Sequence, residues 1–385
     1  MIMLDKAFAG GRRYWGWIIF LLLLLAAGGT CYLKQLRYGL GITGLSRDVS
    51  WGLYIAQFTF FVGVAASAVM VVLPYYLHNV RQFGRITILG ELLAVASVVM
   101  CMLFIFVDMG QPARVLNVIL HPTPSSLMFW DMVSLSGYLL LNAVIATVML
   151  NAEYKGTPAP AWIKPVIYLS IPWAVSIHTV TAFLYNGLPG RHLWFTAILA
   201  PRFLASAFAS GPSLLILLCL LLRKLTSFDA GHEAIRRLGV IVSYAMTVNV
   251  FFLLLELFTA LYSHVPEHAE PFAYLFFGLQ GNHGLVPFMW LSIVLAVAAL
   301  VLLLVPALRQ NESVLALASI FVFVSLWLEK GLGLIVAGFV PSPLHTVPFY
   351  RPTAPEWAIV CGVWAIGALL LTVFYKVTVS IREET

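Results

Sequence analysis

Charged side chains are scarce in this chain, because only 10% of its 385 residues are Asp, Glu, Lys or Arg, whereas 61% are hydrophobic. A typical soluble domain carries roughly 25% charged residues. The low charge leaves no segment that could form a sizeable soluble domain. Apolar runs of about 20 residues, each long enough to cross a bilayer, recur along the sequence. The composition therefore predicts an all-α integral membrane protein.

Potential metal ligands are also few. The four cysteines, Cys31, Cys101, Cys219 and Cys361, are isolated, which excludes the paired spacing of a zinc or iron–sulfur site, and we expect them to be core thiols. A haem b needs two axial histidines at matching depth, and only His178 lies deep in an apolar run. We therefore expect no haem, iron–sulfur cluster or other redox metal in this chain.

Ten apolar segments are candidate membrane spans, and the whole chain, residues 1–385, is expected to be one membrane domain. The spans lie near residues 15–33, 51–77, 86–108, 126–150, 163–185, 199–222, 239–262, 284–306, 313–339 and 356–379. Spans two to five (51–185) and six to nine (199–339) are predicted to form two four-helix bundles, flanked by the first and last spans. The first span lacks a convincing cleavage site and is interpreted as a retained helix. Pro74 and Pro172 are expected to interrupt their spans.

The basic residues of the loops predict the orientation. About twice as many Lys and Arg residues lie on the side of the termini as on the other side, to which Arg202 is assigned together with Arg114, Arg191 and Arg351. Both termini are therefore predicted to be cytoplasmic, in the cytoplasmic (inner) membrane. The loop 263–283 lacks Lys and Arg and is predicted to face outward.

Polar side chains within the spans gather in the predicted outer leaflet. His178 lies about 10 Å below the outer end of span five, and Thr181 and Tyr185 follow it on the same helix face. Further candidates in this leaflet are Tyr54, Gln57, Asp108, Trp130, Asp131, Ser134, Tyr138, Glu256, Glu329 and Lys330. Glu91 is clearly inward. Ionisable groups in a membrane are costly and are by default functional candidates.

Each candidate also has a purely structural interpretation. His178 could simply hydrogen-bond to a neighbouring helix, and Asp108 and Asp131 could be helix caps or interface residues. Glu329 and Lys330 are adjacent, so they do not face each other and each needs a partner on another span. Structural pairing of these two remains as acceptable as a role in proton transfer. Clustering in one leaflet favours a shared functional role.

This set of groups suits a quinone headgroup. A quinone needs hydrogen bonds to its two carbonyl oxygens and a route for two protons, and histidine and carboxylates supply both. Trp51, Phe129 and Trp130 are expected to form an aromatic pocket for the ring and tail. His178, Asp108 and Asp131 are the candidate catalytic residues. The glutamates and Lys330 are candidates for a proton path.

Two long motifs resemble a known family. "FVDMGQPARVLNVILHPTPSSLMFWDMVSLSGY" (106–138) and "SIHTVTAFLYNGLPGRHLWFTAILAPRFLASAFASGPSLL" (176–215) are similar to the NrfD/PsrC family of polysulfide-reductase-type membrane subunits. The resemblance covers spans two to nine. The ten-span form is most like the DsrP/HmcC branch, found in DsrMKJOP-type respiratory complexes of sulfur metabolism. The stretch "SWGLYIAQ" (50–57) departs from shorter relatives because it has no histidine.

The resemblance implies a (mena)quinone site near the outer face of the first bundle, with no haem in the subunit. It also implies a partner iron–sulfur subunit with several cubane clusters on the outer surface. A complex of this kind adds a multihaem cytochrome c, a cytochrome b-type membrane subunit and a cytoplasmic iron–sulfur subunit. By resemblance, His178, Asp108 and Asp131 are quinone-site or proton-path residues. Whether the chain is itself an enzyme stays open.

Three functions remain to be separated. The first is quinone redox coupling within a complex, with or without proton translocation through the second bundle. The second is a secondary transporter or proton channel that uses the same polar residues, which discontinuous helices at mirrored positions in the two halves would favour. The third is a passive membrane anchor that docks a partner and binds no quinone.

Overall fold

The computed structural model describes Lys6 and residues 10–384. Within this part of the chain, ten helices are long and apolar enough to cross a membrane. They are α1 (Arg12–Tyr38), α2 (Leu53–Ala65 and Val69–Leu77), α3 (Thr87–Asp108), α4 (Leu127–Lys155), α5 (Ile163–Asn186), α6 (Leu199–Leu225), α7 (His232–Tyr262), α8 (Val286–Leu304), α9 (Glu312–Ala337) and α10 (Ala354–Glu384). The prediction of an all-helical protein with ten spans is confirmed.

The helices extend beyond the predicted spans where polar residues continue the helical pattern. α7 begins at His232, seven residues before its predicted start at residue 239, and α4 ends at Lys155 rather than near residue 150. The predicted loop 263–283 contains a further helix, Pro266–Phe276, with proline in its first turn and Glu267 near its N-terminus. Proline and acidic residues at a helix start are favourable signals.

The loops differ in length between the two faces of the molecule. Segments 39–52, 109–126, 187–198, 263–285 and 338–353 lie on one face, which we call the long-loop face. The opposite face carries the shorter connections and is called the short-loop face. The long-loop face is the one that the sequence predicts to be outer.

Helices that follow each other in sequence pack side by side. α2 to α5 contact one another in order, and so do α6 to α9, with α6 also packed on α9. α1 pairs with α10, and this pair lies against α3. The two groups of four helices meet where α2 contacts α6 and α9, and α5 also contacts α6. The contacts of α2 place it at the centre of the molecule, where 100% of its most apolar window is buried.

Small residues allow α2 and α6 to approach closely. A Cβ atom added to Gly211 of α6 would lie 2.7 Å from the backbone nitrogen of Ser67 and 3.0 Å from the carbonyl oxygen of Val64. On α2, a Cβ added to Gly63 would lie 3.2 Å from the Ser210 hydroxyl. Close packing of small residues is the usual basis of helix association in membranes. The spacing of Thr59, Gly63 and Ser67 in the sequence already indicates this face.

The interruption of α2 does not occur at a proline. Residues 66–68 form a turn between its two halves, whereas Pro74 lies inside the second half. α5 continues through Pro172 without a break. The predicted interruptions at Pro74 and Pro172 are therefore wrong. The turn is stabilised by neighbouring helices, because the Tyr138 hydroxyl donates to the carbonyl of Ala65 at 3.3 Å and Ser67 Oγ donates to the carbonyl of Gly90 at 3.2 Å.

A π-helical segment, Trp327–Gly333, interrupts α9 at the same interface. Its wider turn lets both Glu329 and Lys330 reach α6. Single π turns of this kind often occur at functional sites. Cys101 and Cys219 are buried and Cys31 is half-buried, whereas Cys361 is exposed on α10. The expectation of a core thiol is therefore wrong for Cys361.

We predict that Gly211→Ala destabilises the protein by about 1–3 kcal/mol, because the new methyl group meets backbone atoms of α2 that cannot rotate away. Gly29→Ala on α1 is the matched control, since a Cβ there meets nothing within 4 Å. Thermal unfolding in detergent measures both variants. Equal melting temperatures for Gly211→Ala and the parent protein would contradict the close α2–α6 packing.

Candidate functional site

In the first group of helices, α4 and α5 share a buried carboxylate. Thr181 Oγ1 donates a hydrogen bond to Asp131 Oδ1 at 2.7 Å, and both residues are buried. The Ser134 hydroxyl, one turn after Asp131, bonds within α4 and donates to the Asp131 carbonyl at 3.0 Å. The Trp173 indole donates to the Ser134 carbonyl at 2.8 Å. The Asp131 side chain is thus bonded across the helix interface and does not cap α4.

Tyr185 joins α5 to α2, closer to the long-loop end of α5 than Thr181. Its hydroxyl lies 2.5 Å from Thr59 Oγ1, which in turn donates to the Ile55 carbonyl at 2.7 Å. The Tyr185 ring packs against Trp51 and Trp194, with ring centroids 5.5 and 5.3 Å away. These aromatic rings cover the polar groups below them on the long-loop side.

His178 is the most unusual residue of this group. Its side chain is 0% exposed, and neither ring nitrogen hydrogen-bonds to any described residue. It lies one turn before Thr181 and eight residues before the end of α5, about 12 Å along the helix. Burying a polar group without a partner costs roughly 1–3 kcal/mol. The interpretation of His178 as a residue that bonds to a neighbouring helix therefore has no support in its contacts.

Tyr54 belongs to a second polar group at the long-loop end of α1, α2 and α3. Its hydroxyl donates to Gln35 Oε1 at 2.8 Å, and Gln35 Nε2 donates to the Val107 carbonyl at 2.6 Å. Asp108 follows Val107, and its buried Oδ1 makes no hydrogen bond to a described residue. Asp108 is half-buried. Gln35, on the flanking helix α1, was not predicted as a site residue.

A buried carboxylate on α10 fixes the loop next to this group. Glu356 accepts hydrogen bonds from the backbone nitrogens of Gly44 and Thr353 at 2.7 and 2.8 Å, and from the Tyr350 hydroxyl at 2.8 Å. The Tyr350 hydroxyl in turn accepts from the Leu53 nitrogen at 2.6 Å. Burial and the negative charge of Glu356 raise the pKa of Tyr350. This network ties α10 and the loop before it to the start of α2.

Gln57 links three helices. Its Oε1 accepts hydrogen bonds from Trp327 of α9 at 2.9 Å and from Trp364 of α10 at 3.1 Å. Its Nε2 is buried and has no hydrogen-bond partner among the described residues. Gln57 thus faces α9 and α10, whereas Asp131 and Thr181 lie between α4 and α5.

A buried arginine forms the centre of the polar groups in the second group of helices. Arg202 of α6 makes ion pairs with Glu256 of α7 and Glu329 of α9, and all three side chains are less than 10% exposed. Glu256 Oε1, the oxygen that is not bonded to Arg202, has no hydrogen-bond partner among the described residues. Buried charges are stable only when they are paired, so these three side chains stabilise one another in the apolar interior.

Lys330 lies between the group around Arg202 and α2 of the first group of helices. Its Nζ donates to the Phe203 carbonyl of α6 at 3.3 Å and lies 4.3 Å from the centroid of the Phe203 ring. A Cβ added to Gly63 of α2 would be 3.2 Å from the same Nζ, so the absence of a side chain at Gly63 makes room for the ammonium group.

Three predicted residues lie apart from these groups. Trp130 is 48% exposed, and its indole donates to the Pro124 carbonyl at 2.8 Å. Phe129 packs on Trp130, whereas Trp51 packs on Tyr185, Trp194 and Phe339, so the three residues of the expected pocket take part in two separate aromatic contacts. Glu91 is buried in the short-loop half, and its Oε2 has no hydrogen-bond partner in the described part of the chain.

Arg202, which falls within the predicted span 199–222 and counts among the basic residues of the outer side, does not face solvent. The residue lies three positions after the start of α6 and is 6% exposed. The signal in the sequence was ambiguous, because an arginine near a predicted span end is usually solvent-exposed. Two unpaired acidic residues within spans seven and nine could have indicated that a basic partner was needed.

We predict that Arg202→Met destabilises the protein by about 3–5 kcal/mol, because it leaves two buried carboxylates without their cation. Adding Glu256→Gln and Glu329→Gln to Arg202→Met should recover most of this loss, since the interior is then uncharged. Thermal unfolding in the same detergent compares the three proteins. A triple variant as unstable as Arg202→Met would contradict charge pairing as the main role of Arg202.

The arrangement can bind a polar headgroup and move protons, and it offers few metal ligands. Among residues 10–384 and Lys6, no three His, Cys, Asp or Glu side chains come together in a way that could hold a metal ion. Imidazole, carboxylate and ammonium side chains are the kinds of group that exchange protons, and all three occur among these buried residues. They lie in the half of the helices near the long-loop face, except for Glu91.

Comparison with known proteins identifies relatives over nearly the whole chain. A protein of Halobacterium salinarum, named provisionally as a membrane subunit of dimethyl sulfoxide reductase, is 28% identical, and the match covers 92% of this chain and 89% of the relative. The Hdr-like menaquinol oxidoreductase integral membrane subunit of Archaeoglobus fulgidus is 24% identical (97% and 95%). The menaquinone reductase integral membrane subunit of Nitratidesulfovibrio vulgaris is 21% identical (94% and 91%).

These relatives are membrane subunits of reductases or oxidoreductases, which agrees with a multi-pass membrane protein. The family profile described as "Polysulphide reductase, NrfD" matches residues 41–341, which include α2 to α9 and the groups around His178 and Arg202. The chain belongs to the polysulphide reductase NrfD family.

Proposed function

We propose that this chain is the quinone-interacting membrane subunit of a respiratory redox complex, in which electrons pass between the membrane quinone pool and a partner iron–sulfur subunit. Two relatives that match more than 90% of the chain are named as subunits of a menaquinol oxidoreductase and a menaquinone reductase. Menaquinone is therefore the quinone that we propose. The polar groups in the long-loop half supply the chemistry that such a molecule requires.

The observation that carries this proposal is the environment of His178. An imidazole that is fully buried, with neither nitrogen bonded to a described residue, is suited to bind a polar ligand that enters from the membrane. Imidazole can donate to a quinone carbonyl and accept from a quinol hydroxyl. Asp131 lies on the neighbouring helix, and Thr181 holds one of its carboxylate oxygens. The two groups together can bind a headgroup and exchange protons with it.

When bound, a quinone supplies the two-electron, two-proton chemistry, and the chain supplies positions and protons. His178 would bind one ring oxygen and exchange a proton with it. Thr181 orients the Asp131 carboxylate, and Tyr185 closes the group towards the aromatic rings at the long-loop face. Tyr54, Gln57 and Tyr138 are bonded to other protein groups, so we propose that they shape the site and that Asp108, with its free oxygen, reaches water.

The proposed partners follow from the position of these groups. Electron transfer needs a short distance, so an iron–sulfur subunit would dock on the long-loop face, near the loops 39–52 and 109–126. We further propose a place in sulfur-compound respiration, which the resemblance to the DsrP/HmcC branch supports. A multihaem cytochrome c, a cytochrome b-type membrane subunit and a cytoplasmic iron–sulfur subunit would complete such a complex.

We also propose that the long-loop face is outer and that the chain lies in the cytoplasmic membrane. The positive-inside rule supports this orientation. Removing Arg202 from the outer loops, because it is buried in α6, strengthens the excess of basic residues on the side of the termini.

Replacing His178 tests the quinone site. We expect His178→Leu to lower quinol oxidation by the purified complex by at least about tenfold, and His178→Gln to retain more activity because its amide can still form one hydrogen bond. His78→Gln, an exposed residue after the end of α2 on the short-loop face, is the control. Unchanged turnover and inhibitor binding in His178→Leu, with the complex intact, would overturn the site assignment.

The same experiment separates the alternatives. A passive anchor predicts that no quinone or inhibitor binds to any variant. A transporter predicts solute uptake by the chain alone. Its expected signature, discontinuous helices at mirrored positions, is not supported by the described helices, because α6 and α5, the counterparts of α2 and α9, are continuous.

We further propose that Glu256, Glu329 and Lys330 carry protons in the second group of helices, with Arg202 as a fixed positive charge that pairs with both carboxylates. The charged groups extend from α7 across α6 to Lys330, beside α2 of the first group. Such a chain of ionisable groups in a membrane is typical of a proton route.

Glu329→Gln tests this route. We expect the variant to bind quinone inhibitors normally but to lower the number of protons moved per electron pair by at least about half, because an amide cannot exchange protons. Glu233→Gln is the control, since Glu233 lies on the surface and pairs with Arg237, one turn away on α7. Measurements use the complex in proteoliposomes with a pH-sensitive dye. A normal ratio in Glu329→Gln would exclude Glu329 from the route.

A further inference from the structure

A small cavity opens beside the buried ion pairs at the long-loop face. Its volume is about 90 Å³, which is enough for several water molecules. It lies between the loop 187–198, the C-terminal part of α7 and the helix Pro266–Phe276. His192, Glu256 and His268 are among the residues that line it.

The inner end of the cavity reaches a carboxylate with a free oxygen. Glu256 is only 7% exposed, and Arg202 bonds to its Oε2. Its Oε1 has no hydrogen-bond partner in the described part of the chain. A buried carboxylate oxygen needs a hydrogen bond, and water in the adjoining cavity is the nearest source of one.

Two histidines flank the outer part of the cavity. The rings of His192 and His268 meet edge to face, with centroids 5.6 Å apart, and both side chains are half-buried. They come from separate segments, the loop before α6 and the helix Pro266–Phe276. Among the nine lining residues, these two and Glu256 are the only ionisable ones. Imidazole exchanges protons with water readily near neutral pH.

We propose that His192 and His268 form the mouth of a water-filled access route by which Glu256 exchanges protons with the aqueous phase at the long-loop face. Only protons move in this step. A proton passes between bulk water and an imidazole nitrogen and then, through cavity water, to or from Glu256 Oε1. Arg202 holds the other oxygen, Oε2. The inference rests on the proposed proton route and assigns its opening to one face.

The test uses the purified complex in proteoliposomes, with a pH-sensitive dye in the compartment that contacts the long-loop face. In the double variant His192→Ala/His268→Ala, we expect proton exchange during quinol oxidation to slow by at least about tenfold. Millimolar imidazole added to that compartment should restore the rate, because a free imidazole can replace the missing proton carriers. A merely structural role of the two histidines would not give this rescue.

The control is His264→Asn, which changes a histidine in the same loop region that does not line the cavity. His264 is exposed and has a positive φ of 54°, which asparagine tolerates. Its proton exchange should equal that of the parent protein. Thermal unfolding of each variant confirms that the complex remains folded.

Glu256→Gln distinguishes the failure of this inference from the failure of the proposed route. If Glu256→Gln slows proton exchange but the histidine double variant does not, the mouth is wrongly assigned and the route stands. A slow double variant without imidazole rescue would also overturn the mouth. If Glu256→Gln has no effect, both the mouth and the participation of Glu256 in the route are wrong.

Discussion

The ion pairs of Arg202 are the constraint on which the interior of this protein depends. In an apolar medium a lone arginine or glutamate is costly, so one arginine of α6 and two glutamates of α7 and α9 have to meet. Their pairing fixes the rotation of three helices relative to one another. It also sets the position of α9 at its π-helical segment, which brings Lys330 over Phe203 and next to Gly63.

The two irregular helices are irregular for the same reason: they lie where the two groups of four helices meet. α2 turns at residues 66–68, and Tyr138 and Ser67 provide hydrogen bonds across the helix contacts there. α9 widens at Trp327–Gly333. A Cβ atom added to Gly331 there would lie 3.2 Å from the carbonyl oxygen of Ala56. Freed backbone groups are tolerated in a membrane protein only where neighbouring helices surround them. Polar side chains collect at this interface because neighbouring helices shield it from lipid.

The outermost helices contribute more than a boundary with lipid. α1 supplies Gln35 to Tyr54, and α10 supplies Trp364 to Gln57 and Glu356 to the loop before α2. These contacts hold the start of α2 and the long-loop face in a defined arrangement. The proposed docking of a redox partner on this face requires such rigidity, since electron transfer depends steeply on distance. The groups around His178 and the loops above them are thus parts of one connected structure.

The sequence by itself determined the membrane class, the number of spans and the half of the helices that holds the polar residues, because hydropathy and helix length depend only on local composition. It also indicated His178, Thr181 and Tyr185 as one face, since helical spacing is local. The tertiary structure decided the partners: Arg202 as the buried cation, Gln35 and Trp364 from the flanking helices, and Trp130 as an exposed side chain. These depend on how helices far apart in sequence rotate and pack, which no local pattern of residues records.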